Sequence, residues 1–183
     1  MLVSRELIIT TEDVQIGDKI TIDLKSFGTF TATAQLVTDK DILFMFDDCI
    51  DERKMNSDNS NRGGFDKSDL NDWMQKTLLP AFPEDIRTKI ELLSLPTYGM
   101  MFGHDRWYEG AIEPDNDDQL PLMKKRKNRV ADYQDDYEWY WLRNATKKSW
   151  SATGFALVNA YGGAANSCAS DSYGVRPVFR IKR

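Results

Sequence analysis

Histidine is almost missing from this chain of 183 residues, and His104 is the single instance. With no second histidine and no close cysteine pair, a zinc site or a Ser-His-Asp arrangement would need unusual support, so His104 reads as an ordinary polar residue of a loop. Cysteine is scarce too. Cys49 and Cys168 lie far apart, so no cysteine framework holds the fold, and whether the two pair depends on geometry that spacing does not supply. No apolar run reaches transmembrane length, and Met1-Leu2-Val3-Ser4-Arg5-Glu6 lacks the basic leader and apolar stretch of a signal peptide. The expectation is a protein made in the cytoplasm, without a signal peptide and without membrane insertion. A phosphate loop is missing as well, since Gly162-Gly163 is not followed by Lys-Ser/Thr. Positive charge is not in excess: the formal charge is −5 with a pI near 5.0, which removes global electrostatic support for nucleic-acid binding. The cluster Lys124-Lys125-Arg126-Lys127-Asn128-Arg129 is a local exception. Asp115, Asp117 and Asp118 precede it and Asp132, Asp135 and Asp136 come after it, so it reads as a solvated loop.

What is present is enough apolar residue, 41% of the chain, for one sizeable core. Length alone argues for one domain, read at 17–183 after an N-terminal arm or short strand at 1–16 carrying Leu7, Ile8 and Ile9. Alternation at Ile20, Ile22 and Leu24, then at Phe30, Ala32, Ala34 and Leu36, predicts two strands interrupted at Gly28. The unbroken run Ile42-Leu43-Phe44-Met45-Phe46 predicts a strand covered on both faces. Residues 47–64 read as a surface loop. A helix capped by Asp66 or Ser68 carries Leu70, Trp73, Met74, Thr77 and Leu78 at helical spacing and is expected to stop at Pro80. Pro83-Glu84-Asp85 opens a second helix whose stripe is Ile86, Ile90 and Leu93. From Thr97 to Tyr137 the chain is irregular, yet its many large apolar side chains require packing on the body.

The last quarter is the most informative part. Trp139, Tyr140, Trp141 and Leu142 form an apolar knot, Phe155-Ala156-Leu157-Val158 reads as a strand, and Val175, Val178, Phe179 and Ile181 read as a terminal strand interrupted by Pro177. Arg143 and Arg176 are suited to act as struts that hold loop carbonyls or a carboxylate. Between these anchors, Gly154 to Gly174 contains no Lys, Arg, Glu, Gln, Met or Trp. A strand leading into a turn-rich loop at Tyr161-Gly162-Gly163 accounts for part of that bias. The mix of Tyr, Ser, Gly and Asn is also the vocabulary of recognition loops, in which aromatics give area and small polar residues adapt. The candidate ligand contacts are Asn144, Thr146, Lys148, Trp150, Phe155, Asn159, Tyr161, Asn166, Ser167, Ser170, Ser172 and Tyr173, on a scaffold secured by Trp141, Leu142, Arg143, Val175, Arg176 and Pro177.

The Tyr140-Trp141-Leu142-Arg143 block, the apolar strand after it, the Gly/Asn/Ser-rich segment and the closing Gly174-Val175-Arg176-Pro177 resemble a bacterial and phage domain family. Its function is unassigned, and it is related to the C-type lectin-like fold of formylglycine-generating-enzyme type. Phe65 to Phe82 and Glu91-Leu92-Leu93-Ser94-Leu95-Pro96 match that family's helix and its "f-L-L-S" strand, so the resemblance covers 17–183. It implies an α+β C-type lectin-like fold with two helices and a small antiparallel or mixed sheet. Several members resemble the variable proteins of diversity-generating retroelements, whose adenine-directed mutagenesis of Asn-type codons cannot yield Lys, Glu, Gln, Met or Trp. The resemblance thus implies a ligand- or receptor-binding module of a phage, prophage or bacterial surface system, recognising a protein or glycan on a cell surface and carried in a virion. It does not bring the formylglycine-generating activity with it, because Cys49 and Cys168 match no paired cysteine motif. No cofactor is expected. Glu113-Pro114-Asp115-Asn116 resembles the Glu-Pro-Asn sugar and calcium motif of C-type lectins imperfectly, and calcium is the one ion that the acidic loop suggests. The alternatives are a metal-assisted glycan-acting enzyme and a structural virion subunit.

Overall fold

The computed structural model describes residues 13–183, and the N-terminal arm expected at 1–16, with Leu7, Ile8 and Ile9, lies mostly outside the described residues. The first three expected strands form an antiparallel meander of β1 (Lys19–Leu24), β2 (Gly28–Val37) and β3 (Asp41–Phe46). Ile42, Phe44 and Phe46 enter one core while Leu43 and Met45 enter another. A strand with apolar neighbours on both faces has no reason to alternate in polarity. Within the segment read as a loop, β4 (Asp51–Lys54) forms; its four residues are all charged, so nothing in its hydropathy marked a strand.

Ser68 Oγ accepts the N–H of Asn71 at 3.0 Å and caps the helix. That helix runs through Asp69–Trp73, widens into a π turn at Met74–Leu78, where Leu79 N–H reaches Met74 O, and continues through Leu79–Ala81. Pro80 therefore sits inside the last turn. The widened turn has already displaced the hydrogen-bond ladder at the point where proline brings no N–H. The stop comes at Phe82, extended at ψ 146°, because Pro83 pushes its predecessor out of the helical region.

The second expected helix is a single turn, Glu84–Arg87. Ile90 and Leu93 belong to β5 (Ile90–Ser94), where Leu93 is buried and Leu92 exposed. A spacing of three fits one helix face and not one face of a regular strand, but the pairing with the terminal strand, β12 (Val178–Lys182), skips Glu91, and this bulge lets both Ile90 and Leu93 meet the first core. From Thr97 onward two short helices, Tyr98–Phe102 and Arg106–Ala111, two 3-10 turns, Pro121–Lys124 and Arg126–Arg129, and a hairpin, β6 (Ala131–Tyr133) with β7 (Asp136–Glu138), give the irregular stretch its form. Its large side chains Tyr98, Met101, Tyr108, Leu120 and Met123 are buried in the second core, as expected.

The chain closes with β8 (Tyr140–Ala145), β9 (Gly154–Val158), β10 (Ala164–Cys168), β11 (Ser172–Val175) and then β12. The fold is α+β, with two five-stranded sheets of order β1-β2-β3-β12-β5 and β10-β9-β8-β11-β4 where one small sheet was expected. Every pairing is antiparallel except β8 with β11. Both sheets contribute to both cores: Trp141, Phe155 and Phe179 to the first, Tyr140, Leu142, Ala156 and Val178 to the second. Arg176 and Pro177 carry the chain from one sheet to the other. Pro177 immediately precedes β12, a position that takes proline because no ladder N–H is lost.

Candidate functional site

The end of β8 is where the fold leaves an opening. Asn144 is buried, and it ties three segments together: its Oδ1 accepts Tyr98 N–H at 2.7 Å, and its Nδ2 donates to Glu113 O at 2.9 Å and to Asp115 Oδ2 at 2.8 Å. Asp115 in turn accepts the N–H groups of Gly99 and Asp117, each at 3.0 Å. A Cβ on residue 99 would lie 2.2 Å from Asp115 Oδ1, so this close approach requires glycine. Tyr108 stacks on His104 at 4.3 Å; its hydroxyl donates to Asp115 O at 2.7 Å and accepts Asp115 N–H at 2.6 Å. Burial pushes the hydroxyls of Tyr98 and Tyr108 up from their ordinary range, so both remain protonated donors.

Asn61 fastens the other side. Its Nδ2 reaches Thr146 O at 2.9 Å and Gly154 O at 3.0 Å, while Thr146 Oγ1 donates to Ser151 O at 2.8 Å. Arg143 spans to the helix side, donating to Ser94 Oγ at 3.0 Å and to Asp66 Oδ1 at 2.7 Å, with its guanidinium 5.3 Å from the Phe65 ring. The cleft so framed is about 330 Å³, within the range of small-ligand sites. Its floor is Thr97, Asn144 and Thr146; Glu113 and Lys148 stand exposed at its rim.

The candidate contacts separate into three places. Asn144, Thr146 and Lys148 line the cleft, and exposed Trp150 stands on the next turn, its ring edge-on to Trp107 at 6.4 Å. Asn159 and Tyr161 lie at the other end of β9, about 13 Å of strand away at ~3.3 Å per residue. There Asn159 Oδ1 accepts the N–H groups of Tyr161 and Gly163, and Arg126 and Arg129 hold the carbonyls of Tyr161 and Gly162. Ser167 and Tyr173 form a third group, with Tyr173 O–H donating to Ser167 Oγ at 3.2 Å. Asn166 on β10, Ser170 in the next turn and Ser172 on β11 are near them in the chain.

Phe155 is a correction. It has no exposed surface and meets Trp141 edge-on at 6.3 Å, because alternation along β9 turns it and Leu157 into the first core. Asn144 and Thr146 are corrected in role: both are buried, and their polar atoms are used to build the floor. Tyr173 is half-buried between Trp139 at 6.0 Å and Trp141 at 5.1 Å. Of the scaffold residues, Trp141, Leu142, Val175, Arg176 and Pro177 are buried and Arg143 is partly exposed. Cys49 and Cys168 are free thiols, and burial raises the Cys49 thiol far above its ordinary range.

Asn61 and Thr97 are cleft residues that sequence reasoning did not select, while Glu113 was met only within the imperfect Glu113-Pro114-Asp115-Asn116 motif. Asn61 sits in a polar stretch with no distinguishing spacing, and its role depends on contacts more than 80 positions away. Asp115 was visible as part of an acidic loop, but its carboxylate is engaged by Gly99, Asn144 and Asp117 within the protein. Among the described residues no group of three or more His, Cys, Asp and Glu side chains is placed to hold a metal.

A family model described as a domain of unknown function, DUF6273, matches residues 34–183. The chain belongs to the DUF6273 family. No curated protein and no solved structure matches it. The matched part of this DUF6273 domain contains every residue of the cleft and both arginine anchors, and it begins within β2, so β1 lies outside the match while pairing with β2 over six residues. No helix among the described residues is long and apolar enough to cross a membrane.

Proposed function

We propose that this DUF6273 domain is a binding module of C-type lectin-like fold whose ligand site is the cleft at the end of β8. The observation that carries this reading is the division of labour within the cleft. Asn144, Thr146, Asn61 and Asp115 satisfy one another and the backbone, which fixes the floor, while Glu113 and Lys148 project from the rim with no ion-pair partner among the described residues. A prearranged polar floor with an acid and a base at its rim suits a ligand rich in hydroxyl and amide groups, because little side-chain freedom is lost on binding. A glycan fits that chemistry, with Trp150 on the adjacent turn offering a ring face. The C-type lectin-like assignment is supported by the places of the two anchor blocks: Trp141-Leu142-Arg143 runs through both cores and frames the cleft, and Val175-Arg176-Pro177 joins the sheets.

The phage, prophage or bacterial-surface setting, with a diversified segment at 144–173, remains part of the proposal and rests on the resemblance. Diversification would act at Tyr161, Asn166 and Ser172, whose side chains are exposed, and not at buried Phe155 or at Lys148 and Trp150, residue types that this mutagenesis cannot yield. A reverse-transcriptase gene with a near-identical template repeat beside the coding sequence is the expected genomic sign.

The direct test is a glycan array probed with the purified chain, then calorimetry on the glycans retained. Replacing Glu113 with Gln and Lys148 with Met together should weaken binding about tenfold or more, the effect of losing one or two hydrogen bonds to charged groups, without lowering the melting temperature. Undiminished binding by the double variant would move the site elsewhere. Hydrolysis of a retained glycan would replace the binding module with the enzyme alternative.

A further inference from the structure

A second cleft, of about 350 Å³, opens between β2 and the crossing at Arg176. The pairing of β2 with β3 shifts register between Ala34 and Leu36, so Gln35 is the extra residue of a bulge. Bulges re-aim a side chain out of the regular ladder and gather beside functional sites. Gln35 is only 2% exposed; its Nε2 donates to Thr33 O at 3.2 Å, and its Oε1 has no donor at all. A buried acceptor left without a partner is costly, and in native proteins it calls for an explanation such as a missing ligand.

Arg176 lines the same cleft and is 4% exposed. Its N–H groups meet Phe46 O at 2.8 Å, Tyr140 Oη at 2.9 Å, Asn128 O at 3.3 Å and Arg129 O at 3.5 Å. All four acceptors are neutral. None of the ion pairs among the described residues involves this buried guanidinium, although buried charges are ordinarily paired. Two independent deficits, a carbonyl oxygen short of a donor and a cation short of an anion, thus face one cavity. Lys19 and Asp47, ion-paired with each other, lie at the same cleft, and Leu122, Met123 and Val130 give it an apolar wall.

We propose that this cleft binds a free α-amino acid with an apolar side chain. The carboxylate is held at Arg176, the ammonium donates to Gln35 Oε1, and the side chain covers Leu122, Met123 and Val130. A simple inorganic anion would answer Arg176 and leave the apolar wall wet; a hydrocarbon would cover the wall and leave both polar groups unmet. Only a molecule with an anion, a donor and an apolar part meets all three. The site shares no residue with the cleft at the end of β8 and does not rest on that cleft's function.

Calorimetry of the full chain with L-leucine, L-methionine and L-phenylalanine tests this, with 4-methylpentanoate (leucine without its ammonium) and isoamylamine (leucine without its carboxylate) as truncated probes. At least one amino acid should bind, and each truncated probe should bind about tenfold more weakly or worse, the effect of one lost hydrogen bond to a buried group. Gln35→Met, which keeps bulk and removes the acceptor, should weaken the amino acid by a similar factor while the unliganded protein melts at the same temperature or higher. Three results would overturn the proposal: no heat from any of the three amino acids at millimolar concentration, binding of 4-methylpentanoate or isoamylamine equal to that of leucine, or full binding by Gln35→Met. A drop in the melting temperature of unliganded Gln35→Met would do so too, since it would show that the Gln35 amide already serves the fold.

Discussion

Arg143 and Arg176 look alike in sequence, each closing an apolar block at one edge of the same segment, yet the fold gives them different surroundings. Arg143 is 35% exposed and paired with an Asp66 that is 71% exposed, so water screens both partners. Arg176 is buried against neutral carbonyls and the Tyr140 hydroxyl at the junction of the two sheets. The same side chain is therefore a reinforcement at a cleft wall in one place and a structural junction in the other. Solvent access, not residue type, sets what a strut contributes, because a surface ion pair exchanges one hydrated state for another while a buried donor must replace its water entirely.

The sharpest way to break this contrast is Arg176→Ala. It strips four acceptors of a donor inside the protein and should cost about 3 kcal/mol or more, read as a lower urea midpoint. A loss no larger than that of the Arg143 variant would show that Arg176 is not a junction. Arg143→Ala should cost about 1 kcal/mol or less, and the small loss should shrink further in high salt because the pair is exposed.

The smallest expected effect is one of pH and lies beside the junction, at Glu138. Burial raises its carboxyl pKa, with the Trp139 N–H at 2.8 Å opposing the shift. A raised folded-state pKa contributes stability below the unfolded value that is lost as pH rises through the folded value. Glu138→Gln removes that dependence, so the variant should gain in melting temperature relative to the parent at about pH 7 and not at about pH 4. An equal difference at the two pH values would mean that Glu138 is fully hydrated.

Much of the fold was legible. The two-faced burial of Ile42 to Phe46, the Ser68 cap and the strand at Phe155 to Val158 each arise from patterns of a few consecutive residues. β4 was not, because Asp51 to Lys54 is entirely charged and forms a strand only when β11 offers its edge. Ile90 and Leu93 have helical spacing, and only the bulge at Glu91 in the pairing with β12 sets both on one face of a strand. For the cleft, Asn144, Thr146 and Lys148 were among the candidate contacts at 144–173, but Asn144 and Thr146 form its floor by contacts to Tyr98, Glu113 and Asn61 that no local pattern contains.

The chain's sequence by itself determined the mix of helix and strand, the positions of β1, β2, β3, β9 and β12, and the burial of the apolar anchors. Those properties depend on composition and on short-range periodicity. Tertiary structure decided the rest: which of two similar arginines is buried, that the recognition-like segment is split among three surfaces, and that Gln35, placed in a bulge, is left without a donor beside an unpaired guanidinium. Each of these turns on distances between residues far apart in the chain, and burial and hydrogen-bond partnership exist only once those distances are set.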